Sequence, residues 1–128
     1  SYGLVDLSLH SLTVEEARIV EPVALSNQIT EAVYLKPQEN TSFVGYFGHL
    51  MGYDAGYYGY AWADSISADM ATVFENAPER YFDREAGQRL RREIYEVGDS
   101  RDVNESIEKF LGRPRSLKPF LNDLGIAE

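Results

Sequence analysis

The sequence predicts a mainly α-helical fold, and three observations support this fold class. Apolar residues recur at helical spacing through much of the chain, most clearly between residues 55 and 75. Two stretches, Thr13–Glu16 and Asp102–Glu105, have the spacing of a capping box, which marks the start of a helix. Glycine follows several of the periodic stretches, at the position where a helix commonly ends.

The first residues depart from this helical pattern. Val5, Leu7 and Leu9 alternate with polar residues, and a two-residue period is typical of a half-buried strand. We therefore expect a short extended segment over residues 4–12, although a short helical turn fits the same pattern nearly as well.

The next two helices are predicted from their boundary signals. The capping box predicts a helix that begins at Val14 and runs to residue 33, with an interruption or kink at Pro22, because proline lacks an amide donor and clashes with the preceding turn. Residues 34–46 have no sustained period and are expected to be an irregular connection. The main helix should then span Ala55–Glu75. Its apolar residues at helical spacing are expected to form a buried stripe: Trp62, Ile66, Met70 and Val73.

Three shorter helices should complete the chain. Each is expected to begin after a capping side chain and to end at a glycine. The capping residue and the terminating glycine of the three helices are, in order, Asp83 and Gly98, Asp102 and Gly112, and Ser116 and Gly125. In the first of these helices the expected inward residues are Leu90, Ile94 and Val97, and the expected outward residues are Arg89, Arg92 and Glu96. In the second the expected inward residues are Val103, Ile107, Phe110 and Leu111.

Length and composition favour one compact domain over residues 1–128. The net charge of -9 argues against nucleic acid or an anionic membrane as a partner, because either would need a basic face. The sequence has no cysteine, which excludes disulfides and thiolate metal sites and fits a reducing compartment, so we expect a cytoplasmic location. The chain start lacks a basic region and a long apolar run, so neither a signal peptide nor a membrane span is expected there.

One stretch carries most of the candidate chemistry: GHLMGYDAGYYGYAWAD, residues 48–64. At helical spacing Tyr53, Tyr57 and Tyr60 fall on one arc, opposite the predicted apolar stripe. The glycines favour a loop that carries His49 and Tyr53, followed by a helix whose first turns carry Tyr57 and Tyr60. A phenol is a neutral donor at neutral pH and can stabilise negative charge that develops on a carbonyl oxygen, while its ring can pack against a peptide or a sugar.

Composition alone leaves a second interpretation open, in which these tyrosines and glycines only fill a helix-to-loop interface. His10 and His49 are far apart in sequence, so a zinc site built from them is not expected. We expect His10 to be a satisfied structural histidine, because no catalytic partner is visible near it in the sequence. The basic run of residues 89–92 is expected to be a solvated face paired with nearby glutamates.

Five ordered stretches together cover essentially the whole chain. They are Leu9-His10, residues 47–70 with the string FGHLMGYDAGYYGY, residues 98–102 (GDSRD), residues 110–114 (FLGRP) and residues 120–125 (FL followed by three residues and Gly125). In order and spacing they resemble the C-terminal region of the thimet oligopeptidase and neurolysin family of zinc metallopeptidases, which includes oligopeptidase A. The resemblance implies the helical C-terminal part of a zinc oligopeptidase catalytic domain.

The resemblance also implies roles for particular residues. In that family a glycine-rich loop closes over a bound peptide, a histidine of the loop lies near the scissile bond, and two tyrosines seven residues apart contact the substrate. These positions match His49, Tyr53 and Tyr60, and Gly52 and Tyr57 belong to the same substrate-binding stretch. Tyr60 matches the tyrosine that donates to the carbonyl under attack, so Tyr60 and His49 are the candidate catalytic residues.

In this family zinc is held by the histidines of H-E-x-x-H and a downstream glutamate, and the sequence contains no H-E-x-x-H. We therefore expect a C-terminal segment of a peptidase that needs zinc as a full-length enzyme, while this chain alone binds no metal and is inactive. Its expected partners are a peptide substrate and the remainder of the parent peptidase. The alternatives are a stand-alone, non-catalytic helical module that binds peptides or glycans, and a structural piece without a site.

Overall fold

The computed structural model describes residues 1–126, and helices account for most of them. The chain is 64% helical and no strand occurs among the described residues, which confirms the predicted mainly α fold class. The α-helices of residues 1–126 are α1 (Tyr2–His10), α2 (Val14–Ile19), α3 (Pro22–Val33), α4 (Gly59–Glu75), α5 (Arg84–Leu90), α6 (Val103–Leu111) and α7 (Lys118–Asp123). Short 3-10 helices span Phe43–Gly45, Gly48–Met51 and Arg80–Phe82, and a π-helical turn spans Arg91–Tyr95.

The chain divides into two compact units, Ser1–Ala61 and Trp62–Glu128. The division falls inside α4, so its first turn belongs to the first unit and the rest of the helix to the second. The single-domain organisation expected from chain length stays a prediction. Within residues 1–126, no helix has both the length and the apolar content needed to cross a membrane.

The extended segment expected over residues 4–12 is wrong, because α1 occupies most of this stretch. The alternating pattern was misleading because it places Asp6 on a solvated face, whereas Val5 and Asp6 are both fully buried. A carboxylate can be buried only when it has hydrogen-bond partners, and Asp6 finds them in a part of the chain far away in sequence. The helical turn, which the pattern fitted nearly as well, is the observed conformation.

The junction between α2 and α3 follows the predicted signals. The backbone N–H of Thr13 donates to Oε2 of Glu16 at 2.8 Å, and Oγ1 of Thr13 accepts from the backbone N–H of Glu16 at 3.3 Å, which completes the capping box. α2 ends at Ile19, and α3 begins with Pro22, where a missing amide hydrogen costs no helical bond. The predicted interruption at Pro22 is therefore confirmed.

α4 begins at Gly59 rather than at the predicted Ala55, whose φ of 55° lies in the left-handed region and cannot continue a right-handed helix. The predicted buried stripe is also wrong in its first member, because Trp62 is 57% exposed. The buried residues of α4 are instead Ser65 and Asp69. The other predicted members of the stripe are half-buried: Ile66, Met70 and Val73.

In the second unit a buried carboxylate, that of Asp69, joins α4 to the chain between α6 and α7. Both of its oxygens accept from the Arg113 guanidinium, and Oδ2 also accepts from the backbone N–H of Ser116 at 2.7 Å. Arg113 donates further to the hydroxyl of Thr72 at 3.1 Å. Burial raises the pKa of Asp69, but these hydrogen bonds and the charges of Arg113 and Arg115 outweigh burial and hold the pKa below its ordinary value.

The predicted caps at Asp83 and Asp102 are confirmed, and so are the terminating glycines. The carboxylates of Asp83 and Asp102 accept backbone N–H donors from the first turns of α5 and α6 at 2.9 and 2.8 Å. The predicted cap at Ser116 is wrong, because α7 begins at Lys118 and its N-cap position is Leu117, which makes no side-chain cap; the Ser116 hydroxyl accepts from the backbone N–H of Lys118 at 3.2 Å. The terminating glycines all have positive φ: Gly98, Gly112 and Gly125.

The core of the second unit contains Ile107, Phe110 and Leu111 of α6, all of them buried as predicted. Two neighbours differ from the prediction. Val103, the first residue of α6, is 64% exposed. Arg89 does not face solvent but is half-buried, and its guanidinium carbon lies 5.5 Å from the centre of the Phe110 ring. Its stem and its charge therefore cover an aromatic residue of the core.

Replacing Asp69 with asparagine should lower the free energy of unfolding by roughly 2–3 kcal/mol at neutral pH, because charge-assisted hydrogen bonds to a buried carboxylate are lost. The pKa of Asp69 is lower in the folded chain than in the unfolded chain, so its carboxylate stabilises the fold above about pH 4 and loses this effect as the pH falls through the folded-state pKa. The difference between variant and wild type should therefore shrink near pH 3. Urea unfolding followed by circular dichroism at both pH values measures it.

The matched control for this prediction is Asp64→Asn, because Asp64 lies on the same helix and is exposed. It should change the free energy of unfolding by less than about 0.5 kcal/mol. Equal losses in the two variants, or a difference that grows toward low pH, would contradict the assignment of Asp69 as an anchoring carboxylate.

Candidate functional site

The candidate site lies in the first unit, on residues 48–60, which we name the tyrosine segment. A 3-10 helix, Gly48–Met51, holds His49, and turns follow it until α4 begins at Gly59. The predicted order of a loop followed by a helix is confirmed, but Tyr57 precedes α4 instead of lying on its first turn. Tyr60 is the second residue of α4.

Four aromatic side chains of the tyrosine segment contact one another. The ring centre of His49 lies 5.3 Å from that of Tyr53 and 5.5 Å from that of Tyr57. The ring centre of Tyr60 lies 5.0 Å from that of Tyr57 and 6.3 Å from that of Tyr53. Gly52 lies in the turn between His49 and Tyr53, and the backbone N–H of Tyr53 donates to the carbonyl oxygen of His49 at 2.7 Å. The five predicted site residues therefore lie together, and four of them form one aromatic cluster.

Most of this cluster is open to solvent within the chain. Tyr53 is 49% exposed and Tyr60 is 53% exposed, and His49 is exposed as well. The pKa of the Tyr60 phenol lies above its ordinary value, first because of its interaction with the neighbouring Tyr53 phenol and then because of partial desolvation. A phenol keeps its proton at neutral pH even at its ordinary pKa, so Tyr60 can act as a hydrogen-bond donor there.

Other aromatic residues of the first unit support the inner side of the cluster. The ring centre of Phe47 lies 5.0 Å from that of Tyr57 and 5.7 Å from that of His49. The ring of Tyr2 lies 6.3 Å from that of Tyr57 and stacks on Phe43 at 4.9 Å. Tyr57 is accordingly half-buried, so its ring also has a packing role in this unit.

A carboxylate of α1 holds the tyrosine segment by its backbone. Oδ1 of Asp6 accepts from the N–H of Ala55 at 3.0 Å, and Oδ2 accepts from the N–H of Tyr57 at 2.9 Å. Nδ1 of His10 lies 2.8 Å from the same Oδ1 and 2.9 Å from the carbonyl oxygen of Asp6. Burial raises the pKa of Asp6, but the hydrogen bonds from Tyr57, Ala55 and His10 outweigh burial and lower the pKa below its ordinary value. His10 thus has hydrogen-bond partners, as was expected of a satisfied structural histidine, and both are atoms of Asp6.

A second contact between α1 and the tyrosine segment depends on Gly3. A Cβ atom at residue 3 would lie 3.2 Å from Cα of Tyr58 and 3.3 Å from its nitrogen, which is closer than ordinary contact. Ala55 has a φ of 55°, a left-handed conformation that costs a residue with a side chain roughly 1–2 kcal/mol. The hydrogen bond that its N–H donates to Asp6 offsets part of this cost.

Sequence reasoning missed Asp6 and Gly3 as residues of the site. The available signal was their spacing with His10, because residues three and four apart share one face of a helix. The alternating pattern concealed it, since a period of two assigns Asp6 and His10 to the polar side of a strand.

The described residues do not fit a zinc site. Within residues 1–126 no group of three or more His, Cys, Asp or Glu side chains is placed to hold a metal ion. Nδ1 of His10 is directed at Asp6, and the ring of His49 is packed among the tyrosines. Zinc in proteins usually has four ligands, at least three of them from the protein.

Comparison with known proteins identifies the family. A family model described as Peptidase family M3 matches residues 1–126, so this chain belongs to peptidase family M3. This confirms the family predicted from the ordered motifs.

Three relatives illustrate the extent of the similarity. The chain is 33% identical over 130 residues to saccharolysin of Saccharomyces cerevisiae, covering 98% of this chain and 18% of that protein. It is 35% identical over 130 residues to oligopeptidase A of Escherichia coli K12, with the same coverage of 98% and 18%. It is 32% identical over 115 residues to the mitochondrial intermediate peptidase of Aspergillus oryzae, covering 86% of this chain and 14% of that protein. The chain therefore spans less than a fifth of the length of these relatives.

Asp6→Asn should release part of the tyrosine segment, because an asparagine side chain has one acceptor oxygen for two backbone N–H donors. Protection of the Ala55 or Tyr57 amide from hydrogen exchange should fall by about ten-fold, which corresponds to the loss of one hydrogen bond to a buried acceptor. Amide exchange followed by NMR measures it. Asp54→Asn is the control, because Asp54 is exposed in the same segment and should leave both amides protected. Unchanged protection in Asp6→Asn would contradict the anchoring role.

Proposed function

We propose that this chain is the substrate-contacting, C-terminal part of a zinc-dependent oligopeptidase. In this proposal five residues of the tyrosine segment bind the peptide, namely His49, Gly52, Tyr53, Tyr57 and Tyr60. The phenol of Tyr60 also stabilises the oxyanion that forms on the scissile carbonyl. Membership of peptidase family M3 supports the peptidase assignment. The observation that carries the residue roles is the exposed aromatic cluster, in which Tyr60 and Tyr53 present adjacent rings and His49 lies next to Tyr53.

The role of Tyr60 follows from the chemistry of amide hydrolysis. When a nucleophile attacks a peptide carbonyl, negative charge develops on its oxygen, and a neutral donor placed beside that oxygen forms a hydrogen bond that strengthens with the charge. The phenol of Tyr60 is in its donor form at neutral pH, as that of an ordinary tyrosine is, and the upward direction of its pKa shift preserves this. Because this bond is stronger in the transition state than in the ground state, it lowers the barrier rather than only tightening binding.

The neighbouring residues suit a peptide ligand. The half-exposed rings of Tyr53 and Tyr60 offer apolar surface on which peptide side chains can pack, and their hydroxyls can bond backbone carbonyls. An imidazole such as that of His49 can donate to or accept from a peptide group near the scissile bond. Gly52 lies between these side chains, where the chain turns from His49 to Tyr53.

In this proposal the zinc ligands belong to another part of the parent polypeptide, which is also the main partner of this chain. That part would supply the metal-dependent activation of water. The residues described here would bind, orient and stabilise the substrate.

We also propose a cytoplasmic location, supported by the absence of cysteine from the sequence. The names of the relatives include both a probable cytosolic oligopeptidase A and a mitochondrial intermediate peptidase.

Tyr60→Phe in the complete peptidase should lower kcat for a short peptide by about 100-fold, because one oxyanion donor is lost, while KM changes little. Steady-state kinetics on a fluorogenic oligopeptide measure both constants. Tyr58→Phe is the matched control, since Tyr58 is 50% exposed two residues away and should retain wild-type kcat. A Tyr60→Phe enzyme with unchanged kcat would overturn the proposed role.

The chain by itself should neither bind zinc tightly nor cleave peptides. Equilibrium dialysis followed by metal analysis, together with a peptide-cleavage assay with and without a chelator, tests this on a pure sample. Stoichiometric zinc and chelator-sensitive turnover would refute the prediction. A different result would favour the stand-alone binding module. In that case the isolated chain would bind peptides or glycans, Tyr57→Ala would abolish the binding, and no longer protein that contains the chain would be active.

A further inference from the structure

We propose that Asp6 is a positioning residue for peptide hydrolysis, which holds the backbone of residues 55–57 and thereby places the phenol of Tyr60. This inference rests on the proposed function. Asp6 is fully buried and both of its carboxylate oxygens are occupied by hydrogen bonds within the first unit, so it acts through the chain rather than on the substrate.

The geometry connects Asp6 to Tyr60 in two steps. In the first step the carboxylate accepts from Ala55 and Tyr57, residues 49 and 51 positions away in sequence, and so fixes the peptide unit that precedes Ala55 and the one that precedes Tyr57. In the second step two turn hydrogen bonds connect this stretch to the start of α4: the carbonyl oxygen of Gly56 accepts from the N–H of Gly59 at 3.0 Å, and that of Tyr57 accepts from the N–H of Tyr60 at 3.4 Å. The first turn of α4 is therefore attached to the residues that Asp6 holds.

A carboxylate is well suited to this position. Two converging N–H donors need two acceptor atoms, and an ionised aspartate is acceptor-only on both oxygens. Nδ1 of His10 contacts Oδ1 and the backbone oxygen of Asp6, which restricts rotation of the carboxylate. A near-isosteric asparagine preserves the volume and directs an NH2 group at one of the two donors, so it removes one of the two anchoring hydrogen bonds without creating a cavity.

Gly3 gives an independent way to disturb the same placement. A Cβ atom at residue 3 would be in tight contact with the backbone of Tyr58, so Gly3→Ala should displace the tyrosine segment by a few tenths of an ångström. This variant leaves the Asp6 carboxylate and its charge unchanged. Catalysis is sensitive to small displacements of this kind, because about 1 Å of misplacement can cost on the order of 100-fold in rate.

The test is a double-mutant cycle between Asp6→Asn and Tyr60→Phe in the complete, zinc-loaded peptidase, with kcat and KM measured on a fluorogenic oligopeptide. Asp6→Asn should lower kcat by about ten-fold with little change in KM, because a donor used in the transition state is misplaced. In the Tyr60→Phe background the same substitution should lower kcat by less than about two-fold, because the group it positions is already absent. Glu31→Gln, which changes an exposed carboxylate on α3 outside the tyrosine segment, should retain wild-type kcat in both backgrounds.

The cycle separates positioning from general stabilisation. If Asp6→Asn lowers kcat equally with and without the Tyr60 hydroxyl, or has no effect in the wild-type background, the inference is overturned. If Asp6→Asn does not fold, as judged by circular dichroism and zinc content, Gly3→Ala takes its place with an expected loss of about three-fold that also disappears in the Tyr60→Phe background. If the kcat of Tyr60→Phe equals that of the wild type, the proposed function itself is overturned. If Tyr60→Phe lowers kcat but Asp6→Asn does not, only the positioning role of Asp6 is overturned.

Discussion

The first unit depends on one requirement, which is that the buried carboxylate of Asp6 must be fully hydrogen-bonded. Burying an unpartnered charge costs many times the net stability of a small protein, so the chain has to bring donors to it. The donors come from the backbone of Ala55 and Tyr57. The aromatic cluster follows from this constraint, since the rings of residues 57 and 60 are carried by backbone that α1 holds in place, while Tyr2 and Phe47 support the inner side.

The second unit also contains a buried, hydrogen-bonded carboxylate, but its partners are different. Asp69 on α4 receives the Arg113 guanidinium and the N–H of Ser116, which come from 44 and 47 residues further along the chain. Helices as short as α2, α5 and α7 are marginal by themselves, because helix initiation is costly and few bonds follow it. In both units a buried aspartate on one helix fixes chain far away in sequence, and in both its pKa is lowered by the bonds it accepts.

The contrast between local and distant interactions also explains what the sequence predicted. The capping box at Thr13, the break at Pro22 and the left-handed turn at Gly112 depend on a few adjacent residues, and all three are as expected. The grouping of His49 with the tyrosines followed from helical spacing and family resemblance. The burial of Asp6 depends on donors that lie far away in sequence, and the exposure of Trp62 depends on which residues of its unit pack against α4. The periodicity of the sequence encodes neither.

The left-handed backbone of Ala55 has a consequence for the balance between conformations. None of the neighbouring glycines at 48, 52, 56 and 59 has a positive φ, whereas the alanine among them does. The left-handed conformation of Ala55 costs about 1 kcal/mol, which cancels part of the free energy gained from the hydrogen bonds to Asp6. The free-energy difference between this structure and an arrangement in which residues 55–57 have left Asp6 is therefore smaller than those hydrogen bonds alone would make it. A decrease of about 1 kcal/mol in this free-energy difference raises the equilibrium population of the arrangement without the Asp6 hydrogen bonds about five-fold.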